Sequence, residues 1–327
     1  MITESARIKK LESNRIRITA KARPEHTGMR LDQLAAVLFP DFSRARLQKW
    51  VRSGELTVDG QALKTTYRIS GGETLRLDAL PERHGEVLPQ DIALDIIHVD
   101  DHIIVLNKPA GLVVHPAAGH RDGTLQNALL HFDSGLATLP RSGIVHRLDK
   151  DTTGVMVVAR SLKAHTSLVE QLQARQMSRV YEALAKGETK MSGTVDAPIG
   201  RHPRDRKRMA VVAAGKPAIS RFRVIQRFRG FSHLEVSLES GRTHQIRVHM
   251  QYIGNPLVGD PVYGKSSKAQ KGVPDALLEA IRAFPRQALH ARRLGLVHPA
   301  SGGTVCFEAH LPADMEGLLA TLAKVAL

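Results

Sequence analysis

Cysteine is almost missing from this chain. With Cys306 as its one thiol, no internal disulfide can form and no Cys-x-x-Cys pair exists to hold zinc. Aromatic residues make up 4% of the sequence, which weighs against a single-strand binder built from stacked aromatic platforms. No apolar run approaches the ~18 residues that a membrane span needs, and residues 1–15 contain no apolar stretch of signal-peptide length. The Gly-x-x-x-x-Gly-Lys-Ser/Thr phosphate loop and the Gly-x-Gly-x-x-Gly dinucleotide turn are both absent. A soluble protein of a reducing compartment, the cytoplasm, is expected.

Acidic residues are also in deficit. Against 47 Lys and Arg stand 32 Asp and Glu, leaving a formal net charge of +15. An excess of this size on a chain with 42% hydrophobic residues points to a folded protein with a polyanionic partner. Nucleic acid is the commonest such partner, because Lys and Arg displace condensed cations from its phosphates.

The hydrophobic pattern divides 327 residues into two domains. Residues 1–27 are read as a flexible lead-in. In 28–80, Leu31, Leu34, Ala35 and Leu38 recur at helical spacing, and Leu47, Trp50 and Val51 mark a second helix with Ser43 at its N-cap. Asp59-Gly60 predicts a tight turn after strand 56–58, with a closing strand at 74–77. The second helix carries Arg44, Arg46, Lys49 and Arg52. Residues 81–90 are read as a linker. From 91 to 327, strands predominate with scattered helices and no regular strand–helix alternation, which predicts an α+β domain on a mainly antiparallel mixed sheet. Strands are expected at 144–148 and 155–159, around a polar loop over His146–Gly154.

Four segments carry candidate chemistry. In 143–159, Asp149 follows Leu148 at the mouth of a strand, where a carboxylate is costly unless paired or used; Asp151 and Gly154 alone would be ordinary turn residues. In 241–249, Arg242, His244, Arg247 and His249 surround a glycine turn and either line a basic cleft or cover a solvated helix. Asn107-Lys108-Pro109 opens a loop of defined geometry. In 201–208, Arg204, Arg206, Lys207 and Arg208 form a run suited to phosphate contact.

These segments resemble the motifs of the RluA-type pseudouridine synthases: His-Arg-Leu-Asp-Lys-Asp-Thr-Thr-Gly at 146–154, Gly-Arg-Thr-His-Gln-Ile-Arg at 241–247 and Asn-Lys-Pro at 107–109. The stretches 28–33, 115–119, 127–131, 255–264 and 286–291 are similar to the branch that acts on 23S ribosomal RNA. The resemblance implies a pseudouridine synthase fold for 91–327, with a small α/β RNA-binding domain of the αL type at 28–80. It implies that a uridine base is detached at nitrogen 1, rotated and rejoined through carbon 5, without metal or cofactor. Implied partners are ribosomal RNA and the large ribosomal subunit or its precursor, engaged by a monomer.

The resemblance also implies roles. Asp149 is expected to face the sugar as an ionised carboxylate, nucleophile or base. Arg242 is expected to be the cation that keeps it charged. Tyr181 is expected to stack on the base, with a proton relay as the alternative. Arg147 would fill the gap left by a flipped nucleotide, and Ile246 would floor the pocket. Arg204, Arg206, Lys207 and Arg208, with Arg44, Arg46 and Lys49, would grip phosphates. Tyr252 and Tyr263 belong to no motif and are expected in the core. Alternatives are a sister synthase for other ribosomal uridines, a non-catalytic RNA-binding protein, or a hydrolase using His146 or His244.

Overall fold

The computed structural model describes residues 16–39, 42, 44–79, 87–117, 119–265 and 274–325. The chain splits into two compact units, Met1–Glu86 and Val87–Leu327.

In the first unit, β1 (Ile16–Lys21) is followed by α1 (Leu31–Leu38), α2 (Arg44–Ser53), β2 (Leu56–Val58) and β3 (Thr74–Ala79). The strands form an antiparallel sheet in the order β1-β3-β2. Strand β1 lies inside the span expected to be a flexible lead-in, so the ordered domain includes Ile16–Lys21, ahead of residue 28. Charged residues hide the strand, because Ile16–Lys21 is an edge strand with only partial burial and exposed Arg17, Ile18 and Thr19. Asp59 (φ 48°) and Gly60 (φ 79°) make the expected tight turn. Leu31, Leu34, Leu47, Trp50, Leu56, Leu75 and Leu77 are fully buried. Buried among them is Asp32, which accepts hydrogen bonds from Arg30 (3.0 Å), Arg44 (2.7 Å) and Gln48 (2.7 Å). Burial opposes its charge, but these donors prevail and bring it to about 2. The expected cap Ser43 lies outside the described residues, as do residues 1–15 of the lead-in and 81–86 of the linker.

The second unit begins with residues 87–90, which are not a free linker: Gln90 N–H donates to Asn127 O and the Asn127 amide donates to Leu88 O. Its elements are β4 (Asp95–Val99), β5 (Ile103–Lys108), α3 (Leu125–Phe132), β6 (Thr153–Ala159), α4 (Leu162–Gln173), β7 (Ser178–Lys186), β8 (Ser192–Asp196), β9 (Ile199–Arg201), β10 (Met209–Val211), β11 (Ile219–Phe228), β12 (Phe231–Leu238), α5 (Gln245–Tyr252), α6 (Asp275–Ala283), β13 (Leu289–Val297), β14 (Thr304–Glu308) and α7 (Ala313–Val325). Among the described residues a nine-stranded sheet runs β4-β5-β6-β13-β7-β12-β11-β8, with β14 paired to β13. Its pairs are antiparallel except β6 with β13, where His290 and Ala291 lie beside Thr153 and Gly154. The expected mainly antiparallel mixed sheet is therefore observed. Strand β6 is buried at every position, so its sequence, Thr-Gly-Val-Met-Val-Val-Ala, is apolar without alternation. Strands β9 and β10 form a separate two-stranded hairpin. No helix among the described residues is long and apolar enough to cross a membrane.

The strand expected at 144–148 does not form. Arg141, Ser142 and Gly143 all have left-handed backbones (φ 51°, 52° and 78°), and this turn delivers the chain to β6 at one isolated bridge, Ile144 to Val158. The chain then departs from the ladder, and the His146 ring accepts the N–H of Val157 (3.0 Å) in place of a backbone carbonyl. Tyr252 is also not in the core: it ends α5 and is 62% exposed, whereas Tyr263 is fully buried.

Gly154 shows how tightly β6 meets β13. It has φ 116°, and a Cβ there would lie 2.2 Å from Ala291 O and 2.6 Å from Ala291 N, both backbone atoms that cannot yield. Gly154→Ala is expected to destabilise the chain by roughly 3 kcal/mol, read as a lower urea midpoint.

Candidate functional site

A cleft of about 580 Å³ opens in the second unit at the beginning of β6 and the N-terminal end of α5. Asp149, Arg147, Tyr181, Arg242 and Ile246 all line it, together with His244 and Arg247. Sequence-distant segments thus converge on one place. Arg204, Arg206 and Lys207 are exposed on the loop joining β9 to β10. Arg208, half-buried, lies with its guanidinium 5.3 Å from the Tyr263 ring centre. Arg44, Arg46 and Lys49 lie on α2 of the other unit. There Arg44 is engaged by Asp32, and Arg46 sits 5.8 Å over Trp50.

The cation at Asp149 is Arg247, not Arg242. Arg247 Nη1 donates to Asp149 Oδ2 at 3.0 Å. Arg242 Nε donates instead to Pro217 O (3.2 Å). The reason is local geometry. Residues 241–244 form the turn before α5, and His244 at the N-cap is left-handed (φ 57°). Arg247 is in the first turn of the helix, whose residues 245–250 are all buried, so its side chain is directed inward. Gln245 secures the entry: its amide oxygen accepts Arg242 N–H (3.0 Å) and Ser240 O–H (2.8 Å), and its amide nitrogen donates to Ile219 O (2.9 Å).

Arg247 is shared between two carboxylates. Besides Asp149, it donates from Nε (2.7 Å) and Nη2 (2.9 Å) to Asp260. Asp260 also accepts the N–H groups of Val262 and Tyr263, each at 2.9 Å. Burial opposes the charge of Asp260, while Arg247 and these N–H groups hold its carboxyl below the usual range. Burial likewise opposes the charge on Arg247, and Asp260 and Asp149 outweigh it, raising the guanidinium above its ordinary value. Asp149, its side chain 17% exposed, leaves Oδ1 outside the Arg247 pair, with His244 Nε2 at 3.8 Å.

The loop that carries Asp149 is held from behind, residue by residue. Lys108 Nζ donates to Lys150 O (2.8 Å), Pro109 O (2.7 Å) and Leu112 O (2.9 Å). Burial draws Lys108 down to about 7, with Asp151 and Asp149 pulling the other way. Three carbonyl acceptors nevertheless match the three hydrogens of an ammonium, so the charged form satisfies this cage. Arg286 donates to Asp151 O (3.1 Å) and grips Asp314 of α7 with two bonds (2.6 and 2.8 Å). The Gln287 amide donates to Thr152 Oγ1 (3.1 Å). His290 Nε2 donates to Ala309 O, so its Nδ1 accepts the Thr153 hydroxyl (2.8 Å). Asn107 and Lys108, expected in a loop, end strand β5 instead, and no local spacing announces this cage.

Two further lining groups are neutral. Burial, reinforced by Arg179, pulls His146 down to about 4, in keeping with its acceptor role towards Val157. Burial pushes the Tyr181 phenol above its ordinary value, with Asp149 adding to the effect and Arg179 opposing it. A phenol in this condition is an apolar face and a poor base. Among the described residues no group of three or more His, Cys, Asp or Glu side chains is arranged to hold a metal ion.

Breaking a buried ion pair from one side costs about 3–5 kcal/mol, so Arg247→Met is expected to lower unfolding stability by this amount at neutral pH. Arg242→Met should change it by less than about 1 kcal/mol. Asp260 binds its proton more weakly folded than unfolded, so its contribution is present above the unfolded carboxylate range and lost as pH falls through the folded value. The gap between wild type and Arg247→Met should therefore narrow in acid, as urea titrations at several pH values would report.

Residues 102–252 match the RNA pseudouridylate synthase family, and residues 29–75 match the S4 domain. A Pseudomonas aeruginosa protein named ribosomal large subunit pseudouridine synthase D is 56% identical over 310 residues, covering 95% of this chain and 97% of the relative. A protein of the same name from Escherichia coli K12 is 49% identical over 308 residues, 94% of each. Among solved structures, human RNA pseudouridylate synthase domain containing 4 superposes with a TM-score of 0.55 at 25% identity, over 70% of this chain and 93% of that one. With relatives alike over nearly its whole length, the chain belongs to the RluA-type pseudouridine synthase family, an isomerase family, and carries an S4 domain at its N-terminal end.

Proposed function

We propose that this protein converts uridines of 23S ribosomal RNA into pseudouridine, as the names of its relatives suggest, with Asp149 as the catalytic carboxylate. The observation that carries the reading is the asymmetry of Asp149 in the cleft lining: one oxygen is tied to buried Arg247, and the other stands outside that pair, 3.8 Å from His244 Nε2. Detaching the base from ring nitrogen 1 builds positive charge on the sugar, and an ionised carboxylate held against it stabilises that charge or bonds to it. The base then turns and rejoins through carbon 5, which must lose a proton. The sum is an isomerisation without electron transfer, for which a cofactor is not required.

The other lining residues fit this course. Tyr181 and Ile246 offer buried apolar surfaces for the detached base, and Arg147, exposed at the rim, suits the gap that a flipped nucleotide leaves. Arg242 is reassigned to substrate positioning, since its guanidinium is free of Asp149. The S4 unit, with Arg46 and Lys49, and the exposed loop of Arg204, Arg206 and Lys207 would hold phosphates. The protein is proposed to act in the cytoplasm as a monomer on the large subunit or its precursor.

Pseudouridine mapping in large-subunit RNA tests the reading in cells that lack the gene. Missing sites should return with wild-type protein and stay missing with Asp149→Asn. A complete map without the gene would contradict the assignment; restoration by the Asn variant would remove Asp149 from its role.

A second measurement concerns the loop. Replacing Arg204, Arg206 and Lys207 by Gln should raise the RNA concentration for half-maximal rate by about tenfold or more at moderate salt, and flatten its salt dependence. The single-turnover rate at saturation should change little, because lost phosphate contacts act on binding.

A further inference from the structure

Tyr263 lies outside all three motifs, yet its hydroxyl occupies a decisive position. It accepts the N–H of Met209 at 2.9 Å. It also lies 2.9 Å from His244 Nδ1. A backbone N–H can only donate, so the phenol oxygen is already an acceptor on that side, and its own hydrogen is available for the imidazole. His244 Nδ1 then accepts. In a neutral imidazole the proton is left on Nε2, the nitrogen 3.8 Å from Asp149 Oδ1. That distance is too long for a hydrogen bond at rest, but it faces the one Asp149 oxygen that Arg247 leaves free.

The surroundings keep this arrangement in place. Tyr263 is fully buried, and guanidinium groups flank its ring, Arg247 at 5.1 Å and Arg208 at 5.3 Å. The rings of His244 and Tyr263 meet edge to face, 5.6 Å apart at 73°. The charged groups that face His244 are Asp149 and Asp260, which favour its protonation, and Arg247 and Arg147, which oppose it; burial adds to the opposition and lowers its proton affinity. The imidazole is thus neutral near pH 7, where its tautomer decides what Asp149 meets. An N–H at Nε2 attracts the carboxylate, whereas a lone pair there would repel it.

We propose that Tyr263 and His244 are a positioning pair: Tyr263 sets the His244 tautomer so that an N–H donor, not a lone pair, faces the open oxygen of Asp149. The inference rests on the reading of Asp149 as the catalytic carboxylate. It also ties that carboxylate to the RNA-facing hairpin, because Met209 begins β10 directly after Arg208 of the basic loop.

The test uses the full chain labelled with ¹⁵N-histidine, and single-turnover pseudouridine formation on transcribed large-subunit RNA across a range of pH. In wild type, the His244 nitrogens should report a protonated Nε2 and a bare Nδ1. Tyr263→Phe should shift that population towards Nδ1–H and slow the saturated rate about tenfold, the scale of one lost hydrogen bond. RNA affinity should stay within about twofold, far inside the tenfold that 1.4 kcal/mol represents. The acid limb of the rate profile should move to higher pH. His244→Gln keeps an amide N–H near the Nε2 position and should retain more rate than His244→Ala. Adding Tyr263→Phe to His244→Gln should cost little more.

A wild-type His244 protonated on Nδ1, an unchanged rate and pH profile in folded Tyr263→Phe, or a full additional loss in the double variant would overturn the proposal. If Tyr263→Phe melts below the assay temperature, the wild-type tautomer and the Gln-to-Ala comparison decide it. Asp149→Asn run in parallel separates the two readings. Product from that variant refutes the role of Asp149, whereas an inactive Asp149→Asn beside a normal Tyr263→Phe refutes the positioning pair alone.

Discussion

The site depends on one buried guanidinium. Arg247 is 5% exposed, and a cation so deep is costly unless its hydrogen bonds are met. Asp260 meets them on one side with two charge-assisted bonds and is itself held by two backbone N–H groups. This leaves Nη1 as a fixed donor pointing at Asp149. Asp260 thus does for Arg247 what Arg247 does for Asp149: each charge is stabilised and aimed by the next. Without the guanidinium, Asp149 and buried Asp260 would both lose their shared counter-charge.

Orientation of Asp149 also needs a rigid loop, and rigidity comes from a different part of the chain. Lys108 at the end of β5, Arg286 and Gln287 before β13, and His290 within β13 each hold one position between Lys150 and Thr153. Gly154 permits the close parallel contact with β13 that brings these donors within reach. The loop that carries Asp149 therefore has no regular structure, yet each position from Lys150 to Thr153 is hydrogen-bonded. Such loops place a polar side chain at a sheet's edge without burying unpaired backbone groups.

Much of the fold was legible because periodicity reports burial. The helix faces of Leu31, Leu34, Ala35 and Leu38 and of Leu47, Trp50 and Val51, and the strand expected at 155–159, match Leu31–Leu38, Arg44–Ser53 and Thr153–Ala159. Strand Ile16–Lys21 was missed because an edge strand with charged, exposed positions has little pattern to read. The segment 144–148 misled because its residues are apolar and β-prone, while the left-handed run at Arg141–Gly143 that diverts it involves two residues other than glycine. Within the site, the residues that the motif resemblance named, Asp149, Tyr181, Arg147 and Ile246, line one cleft. The resemblance named Arg242 as the cation at Asp149, where the structure places Arg247; the two differ by five positions and by which side of a helix start they occupy. Asp260, Tyr263 and Arg286 were beyond reach, since their roles arise from contacts across the fold that no local spacing encodes.

The central claim is that charge on Asp149, held in place by Arg247, carries out the chemistry. Single-turnover reaction of purified Asp149→Asn with saturating large-subunit RNA tests it most directly, because Asn keeps the shape and loses the charge. The account predicts unaltered RNA binding and no pseudouridine at any pH. Measurable product from the Asn variant, at a rate responsive to pH or not, would contradict it.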